Sequence, residues 1–534
     1  MHKMFCFFAE SVYNKNQETK ERAISLFSCV QSIGLFGMQT YPVAVETALE
    51  NGLPRIDIVG LPDAAVSESR DRVRAAMKNS GFLFPNARVT INLSPADKRK
   101  EGPMYDLPIF ISVLKASGQL SAETKDCAFV GELSLSGKVR KVNGILPMVI
   151  DAKERGLKAI YIPFDNAAES CIITGIDIYP VLTCKDLVRH LKGEKLIRKA
   201  DRKQFPAFEP QNPEVLDFAD VKGQFQVKRA LEIAAAGGHN TLMIGPPGSG
   251  KSMLAKRIPT ILPDMTPQES LDTTKIYSIA GVLSNHHSLV LSRPFRAPHH
   301  SISPAGLSGG GQIPKPGELS LAHHGVLFLD ELPEFPRQTM ETLRQPMEDG
   351  CITIARVSGS ITYPCDVMLV CAMNPCPCGF YGHPTKKCTC PPHAPAKYLA
   401  KVSGPLLDRL DIHIEVPQVE FDKLSDDQPG ESSAKIKARV NAARKIQQQR
   451  LAGSGISCNA KMTASQTRTF CRIDESGKKL LERSFDQLGL SARAYDKILR
   501  VARTIADLEG SENIATCHLA EAVQYRALDR KFWK

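Results

Sequence analysis

The stretch Gly245-Pro246-Pro247-Gly248-Ser249-Gly250-Lys251-Ser252 constrains the fold of this chain more than any other. It fits G-x-x-x-x-G-K-[ST] in full, follows the apolar run Thr241–Ile244, and opens the helix-forming stretch SMLAKRI. A strand, a glycine turn and a helix in that order belong to an α/β fold with a parallel sheet. The glycines let backbone N–H groups turn inward and cradle phosphate oxygens. The following helix N-terminus adds about half a positive charge. In such a loop Lys251 reaches the β- and γ-phosphates of a nucleotide, and Ser252 ligates Mg²⁺.

A second motif lies about eighty residues downstream: Gly325-Val-Leu-Phe-Leu-Asp330-Glu331. Its apolar residues predict a buried strand with two acids at the carboxyl end, where open α/β sheets bind ligands. Asp330 can hold the Mg²⁺ shell, and Glu331 can polarise an attacking water. A third apolar strand, Val367–Met373, ends at Asn374. That amide can orient the water or touch the γ-phosphate; taken alone it is equally a turn residue before Pro375.

With 534 residues the chain has room for about three domains. Charged residues are 23% and hydrophobic ones 43%, which excludes a disordered chain and a small disulfide scaffold. No apolar run reaches the ~18–20 residues that span a bilayer. The Phe5–Phe8 cluster is too short for a secretory signal, so a cytoplasmic location is expected. The net charge of +11 permits contact with nucleic acid phosphates without demanding it. Residues 1–25 read as a disordered leader, 26–190 as a mixed α/β domain whose pattern begins at Gln39, and 191–215 as a basic, Pro-rich linker. Residues 216–425 carry the nucleotide motifs, and 426–534 read as a helical unit.

Around these motifs the chain resembles a known family. Arg293–Ser303 (RPFRAPHHSIS), Pro316–Phe335, Ala372–Gly379 (AMNPCPCG) and Gly404–Val416 (GPLLDRLDIHIEV) are similar to AAA+ ATPases of the magnesium-chelatase-like branch, YifB/ComM subfamily. The resemblance implies a P-loop ATPase with a parallel sheet and a helical lid, using ATP and Mg²⁺ and working as a homo-hexamer. It implies that Arg409 is an arginine finger acting on a neighbour's ATP, that Arg493 is a second sensor on the lid, and that Val221, in VKGQ, lies on the adenine side. Without the family each arginine reads first as a surface salt bridge. Residues 39–190 resemble the proteolytic domain of Lon-type Ser–Lys proteases, through Glu101–Ile109 and Lys141–Pro163. The nucleophile and base positions are occupied by Met104 and Leu146, which cannot do that chemistry. An inactive domain kept for packing or for a protein partner is expected.

Cys376, Cys378, Cys388 and Cys390 form C-x-C-x9-C-x-C. Four thiolates at that spacing suit a closed tetrahedral Zn²⁺ site, with His383 and His393 in reserve. Four reduced cysteines and an iron–sulfur cluster are the alternatives. Two basic elements could face a ring's pore: the segment holding Arg293, Arg296, His299 and His300, and a predicted hairpin, Cys351–Pro364, with Arg356 near its tip. The resemblance then implies a DNA motor, a branch-migrating helicase acting on single-stranded or branched DNA in natural transformation. The alternative is a chelatase-type motor that remodels a protein partner.

Overall fold

The computed structural model describes residues 27–201, 216–283, 289–311, 314–356, 359–419, 430–488 and 491–533. The expected leader, most of the linker and the expected 425/426 boundary lie outside these residues. The chain forms two compact units. No helix among the described residues is long and apolar enough to cross a membrane.

The first unit is built on a seven-stranded mixed sheet. Its order is Arg55–Val59, Arg88–Ser94, Gln39–Glu50, Phe27–Phe36, Cys127–Phe129, Ala159–Pro163, Asp177–Val181. Every second residue of Gln39–Glu50 from Tyr41 to Leu49 is buried, the period of a strand with one covered face. Its hairpin partner, Phe27–Phe36, pairs Val30 with Val45. The sequence pattern did not reveal that strand, because two of its inward residues are serines. Ser28 is buried and donates to Ser112 O at 2.7 Å; Ser32 is buried and donates to Phe129 O at 2.8 Å. Satisfied in this way, buried hydroxyls cost little. Residues 64–79 form two helices, Ala64–Ser67 and Ser69–Asn79. Met104 sits in the short turn Pro103–Tyr105 ahead of the helix Asp106–Ala116, and Leu146 in the first turn of Ile145–Glu154. Both side chains are buried.

The second unit is organised by a five-stranded parallel sheet. Its order is Phe295–Arg296, Val326–Leu329, Met368–Met373, Thr241–Ile244, Ile412–Glu415. The central strands are buried throughout, as parallel strands covered on both faces must be. Alternate residues feed two cores. Met243, Phe328, Val370 and Ile414 meet Leu231, Leu254 and the C-terminal Val440 and Ile498. Leu242, Ile244, Leu329 and Leu369 meet Leu307, Leu343, Leu399 and Phe532. The C-terminal helices therefore share one core with the sheet. They run Ser433–Arg450, Ala464–Phe470, Glu475–Leu488, Ala492–Leu508, Thr516–Gln524 and Leu528–Trp533. The second and the last are the shortest, at seven and six residues. The second is short and set by a capping box between Thr463 and Gln466.

A buried histidine gives this unit an acid limit. The His323 side chain accepts at Nδ1 from the Asp366 N–H at 3.0 Å, which requires the neutral ring. Burial, then the adjacent His324, push its pKa down to about 4. Between that value and the ordinary ~6.5 the unfolded chain binds the extra proton, so stability falls as the pH drops through this window. The loss should approach about 3 kcal/mol. His323→Gln should flatten the slope of denaturant midpoint against pH between 4 and 6.5; an unchanged slope would place the acid limit elsewhere.

Candidate nucleotide site

Three adjacent strands of the parallel sheet end in the residues singled out above. Thr241–Ile244 runs into Gly245, Val326–Leu329 into Asp330, and Met368–Met373 into Asn374. Gly248 and Gly250 hold φ of +74° and +87°, a left-handed backbone that suits glycine. A side chain at Gly245 would sit 2.3 Å from Val416 O. Pro246 and Ser249 are buried; Pro247 is exposed.

Lys251 is the first residue of the helix Lys251–Ile261 and is buried. Its ammonium donates to Gly245 O at 2.8 Å, Pro246 O at 2.9 Å and Asn374 Oδ1 at 3.2 Å. Burial lowers its pKa, against the pull of Asp330 and Glu331. Ser252 Oγ donates to Asp330 Oδ2 at 2.5 Å. A hydroxyl and a carboxylate so placed are oxygen ligands of the kind Mg²⁺ takes. Asp330 also accepts from the Glu331 N–H at 2.9 Å. Glu331 is exposed and holds φ of +52°, a strained conformation for a residue with a side chain. Its Oε2 lies 3.3 Å from His300 Nδ1. The spacing of motifs gave no sign of this last contact.

Val221 is buried in the apolar core. The residue of its segment that reaches the phosphate loop is Gln224, whose Nε2 donates to Ser249 O at 2.8 Å and Pro417 O at 3.2 Å. Its Oε1 is buried without a donor among the described residues, leaving an acceptor beside the loop.

Arg409 and Arg493 lie at the other end of the sheet. Arg409 O accepts from Asn240, the residue before the phosphate-loop strand. That strand has four residues, so about 10 Å separates its first and last Cα atoms. The Arg409 guanidinium donates to Arg344 O at 3.0 Å and Pro405 O at 2.7 Å, and it lies 2.6 Å from Glu348 Oε1. Arg493 lines the same cleft of 410 Å³. One turn further on, Lys497 meets Asp411 at 2.6 Å. A lid arginine sensing its own subunit's phosphates would belong at the carboxyl ends of the strands; Arg493 is at the amino ends.

In the basic segment at 293–300 the two arginines are paired within the fold, while His299 is exposed and His300 half-buried. Arg293 is largely buried and donates to Pro263 O at 2.6 Å, His324 O at 2.8 Å and Glu269 Oε2 at 3.0 Å. Arg296 grips Glu318 through two bonds of 2.6 and 2.7 Å. Both are structural cations rather than projecting ones. Arg356 ends the strand Cys351–Arg356 and is exposed; the turn after it, 357–358, lies outside the described residues.

The four cysteines converge. Their sulfurs all lie within 4.8 Å of one another, with Cys376 to Cys378 at 3.4 Å, Cys378 to Cys388 at 3.5 Å and Cys376 to Cys388 at 3.7 Å.

Comparison with known proteins gives the lineage. The chain is 44% identical over 508 residues to the competence protein ComM of Haemophilus influenzae, covering 95% of this chain and 98% of the relative. It belongs to the magnesium-chelatase-like YifB/ComM family. The uncharacterised YifB of Escherichia coli K12 is 44% identical over 505 residues, 94% of this chain and 97% of its own. Three descriptions of the chelatase subunit ChlI match in turn: subunit ChlI of Mg-chelatase over residues 45–166, magnesium chelatase, subunit ChlI over 217–424, and its C-terminal part over 430–526. A Lon protease of Azospirillum brasilense is 26% identical over 194 residues, 34% of this chain and 23% of the relative. In this YifB/ComM chain the parallel sheet and its phosphate loop fit the chelatase type of AAA+ fold.

Proposed function

We propose that this YifB/ComM chain hydrolyses ATP as a ring of identical subunits and uses the energy to move on single-stranded or branched DNA. The observation that carries the ATPase reading is the meeting of Lys251, Ser252, Asp330 and Asn374 at the ends of three neighbouring strands. Lys251 now caps two carbonyls of its own loop and can exchange them for phosphate oxygens. Mg²⁺, held by Ser252 and Asp330, would supply charge neutralisation on the phosphates. Glu331 takes the proton of the attacking water, and Asn374 orients that water. The Glu331 carboxylate has His300 as its partner, 3.3 Å away.

The placement of the arginines supports the ring. Arg409 and Arg493 stand at the far end of the sheet from their own Lys251, so both serve the nucleotide of the next subunit. A homo-hexamer closes that head-to-tail arrangement.

Similarity to a competence protein, the basic balance and the exposed Arg356 support DNA as the track. The first unit, with Met104 and Leu146 where a Ser–Lys dyad would stand, acts by packing or by binding a protein partner rather than by proteolysis. ATP turnover should rise with single-stranded or branched DNA, and high salt should abolish the rise, because phosphate contacts release counterions. Arg356→Ala should reduce the stimulation. Turnover indifferent to DNA but raised by a protein partner would favour a chelatase-type remodelling motor instead. Digestion of casein by the pure protein would overturn the non-proteolytic reading.

A further inference from the structure

Residues 374–393 join the strand Met368–Met373 to the helix Ala394–Leu399 without a helix or strand of their own. Most side chains from Tyr381 to His393 are exposed or only half-buried. An irregular segment of this length with so little core must be held by something else. The four cysteine sulfurs are gathered inside it. Their separations of 3.4 to 3.7 Å are far beyond a disulfide's ~2.05 Å. Four bonds of about 2.3 Å to a tetrahedral ion place sulfurs about 3.8 Å apart. Two backbone N–H groups already point at sulfurs: Tyr381 to Cys376 at 3.3 Å and Cys378 to Cys390 at 3.4 Å. Such donors orient thiolate ligands around a metal.

The same loop leans on the phosphate loop. A side chain at Gly379 would lie 2.2 Å from Pro247 Cδ, so the backbone of the cysteine turn rests directly on that proline. Gln418 Nε2 donates to Pro247 O at 3.2 Å, and Lys386 from the cysteine loop reaches Gln418 Oε1 at 3.4 Å. Asn374, bonded to Lys251, stands two residues before Cys376. A cleft of 360 Å³ opens between the two loops, lined by Gly245, Pro246, Gly379, Tyr381 and Gln418 among others.

We infer that Cys376, Cys378, Cys388 and Cys390 bind one Zn²⁺, and that this closed site is a clamp: it fixes the outer wall of the phosphate loop and so sets the affinity for nucleotide. Four thiolates leave no open position for substrate, so the ion's work is positional. Soft sulfur ligands exclude Mg²⁺ and Ca²⁺. The clamp rests on the proposed ATP reading, and the test separates the two.

Full-length protein purified without added chelator should contain about one zinc per chain by elemental analysis. Cys378→Ser should lose most of it. Zinc stripped from wild-type protein by a thiol-reactive mercurial and a chelator, then thiol-restored, should leave far-UV circular dichroism nearly unchanged. Fluorescent ATP-analogue binding should weaken about tenfold, the loss expected when loop side chains must be ordered on binding, and return on adding Zn²⁺. Gly379→Ala keeps all four thiols but crowds Pro247 and strains a backbone at φ +83°, so it should weaken nucleotide binding even where zinc stays bound. Iron with visible absorbance, or no metal in protein that binds nucleotide normally, overturns the zinc site. Equal nucleotide affinity with and without zinc overturns the clamp. Zinc-loaded protein that binds no nucleotide overturns the ATP reading.

Discussion

Arg409→Ala should lower ATP turnover by about 10³–10⁵-fold while nucleotide binding stays close to wild type. The guanidinium is always charged and can spread over two oxygens of the transferring phosphoryl group. In the isolated subunit it instead donates to Arg344 O and Pro405 O and lies against Glu348. A neighbour's phosphate must win it from these partners, so assembly and hydrolysis are coupled. Lysine at this position keeps the charge but not the fork, and should rescue little. Mixing Arg409→Ala with Lys251→Ala subunits should restore some turnover, because some interfaces then pair an intact phosphate loop with an intact arginine. Wild-type turnover by Arg409→Ala, or no recovery on mixing proteins that still assemble, would remove the shared-site mechanism.

Glu331→Gln should give the second large loss, about 10²–10⁴-fold in turnover, the usual worth of a positioned general base. Glutamine has the same shape and can still meet His300, but it cannot take a proton. Asp330, Ser252 and Lys251 are untouched, so the variant should bind ATP and remain assembled on DNA. Rapid hydrolysis by this variant would move the base to another residue.

The phosphate loop was legible because its chemistry is contiguous: glycines, Lys251 and Ser252 lie within eight residues. The apolar runs before Asp330 and Asn374 were legible as strands because parallel strands are buried on both faces. What escaped depends on pairs distant in sequence. Arg293 and Arg296 read as projecting cations; their acids, Glu269 and Glu318, lie 24 and 22 residues away. Spacing did not show that Arg493 shares a cleft with Arg409, because helical periodicity does not say which end of a sheet a helix meets. Phe27–Phe36 escaped because its buried serines hide the alternation. Gln224 and Gly379 act on the phosphate loop through one amide and one missing side chain, features without a motif.

The short helix Leu528–Trp533 places Phe532 in the wall of the cleft beside Gly245 and Pro246, and Trp533 next to it donates to Leu399 O. Trp533 is the sole tryptophan in the sequence. Its indole lies within 6.3 Å of His413, on the strand that neighbours the phosphate-loop strand. Intrinsic tryptophan emission from this protein therefore comes from one address, beside the strand that neighbours the one leading into the proposed phosphate loop. The molecule carries its own optical gauge, and the binding experiments above can be run on it unlabelled.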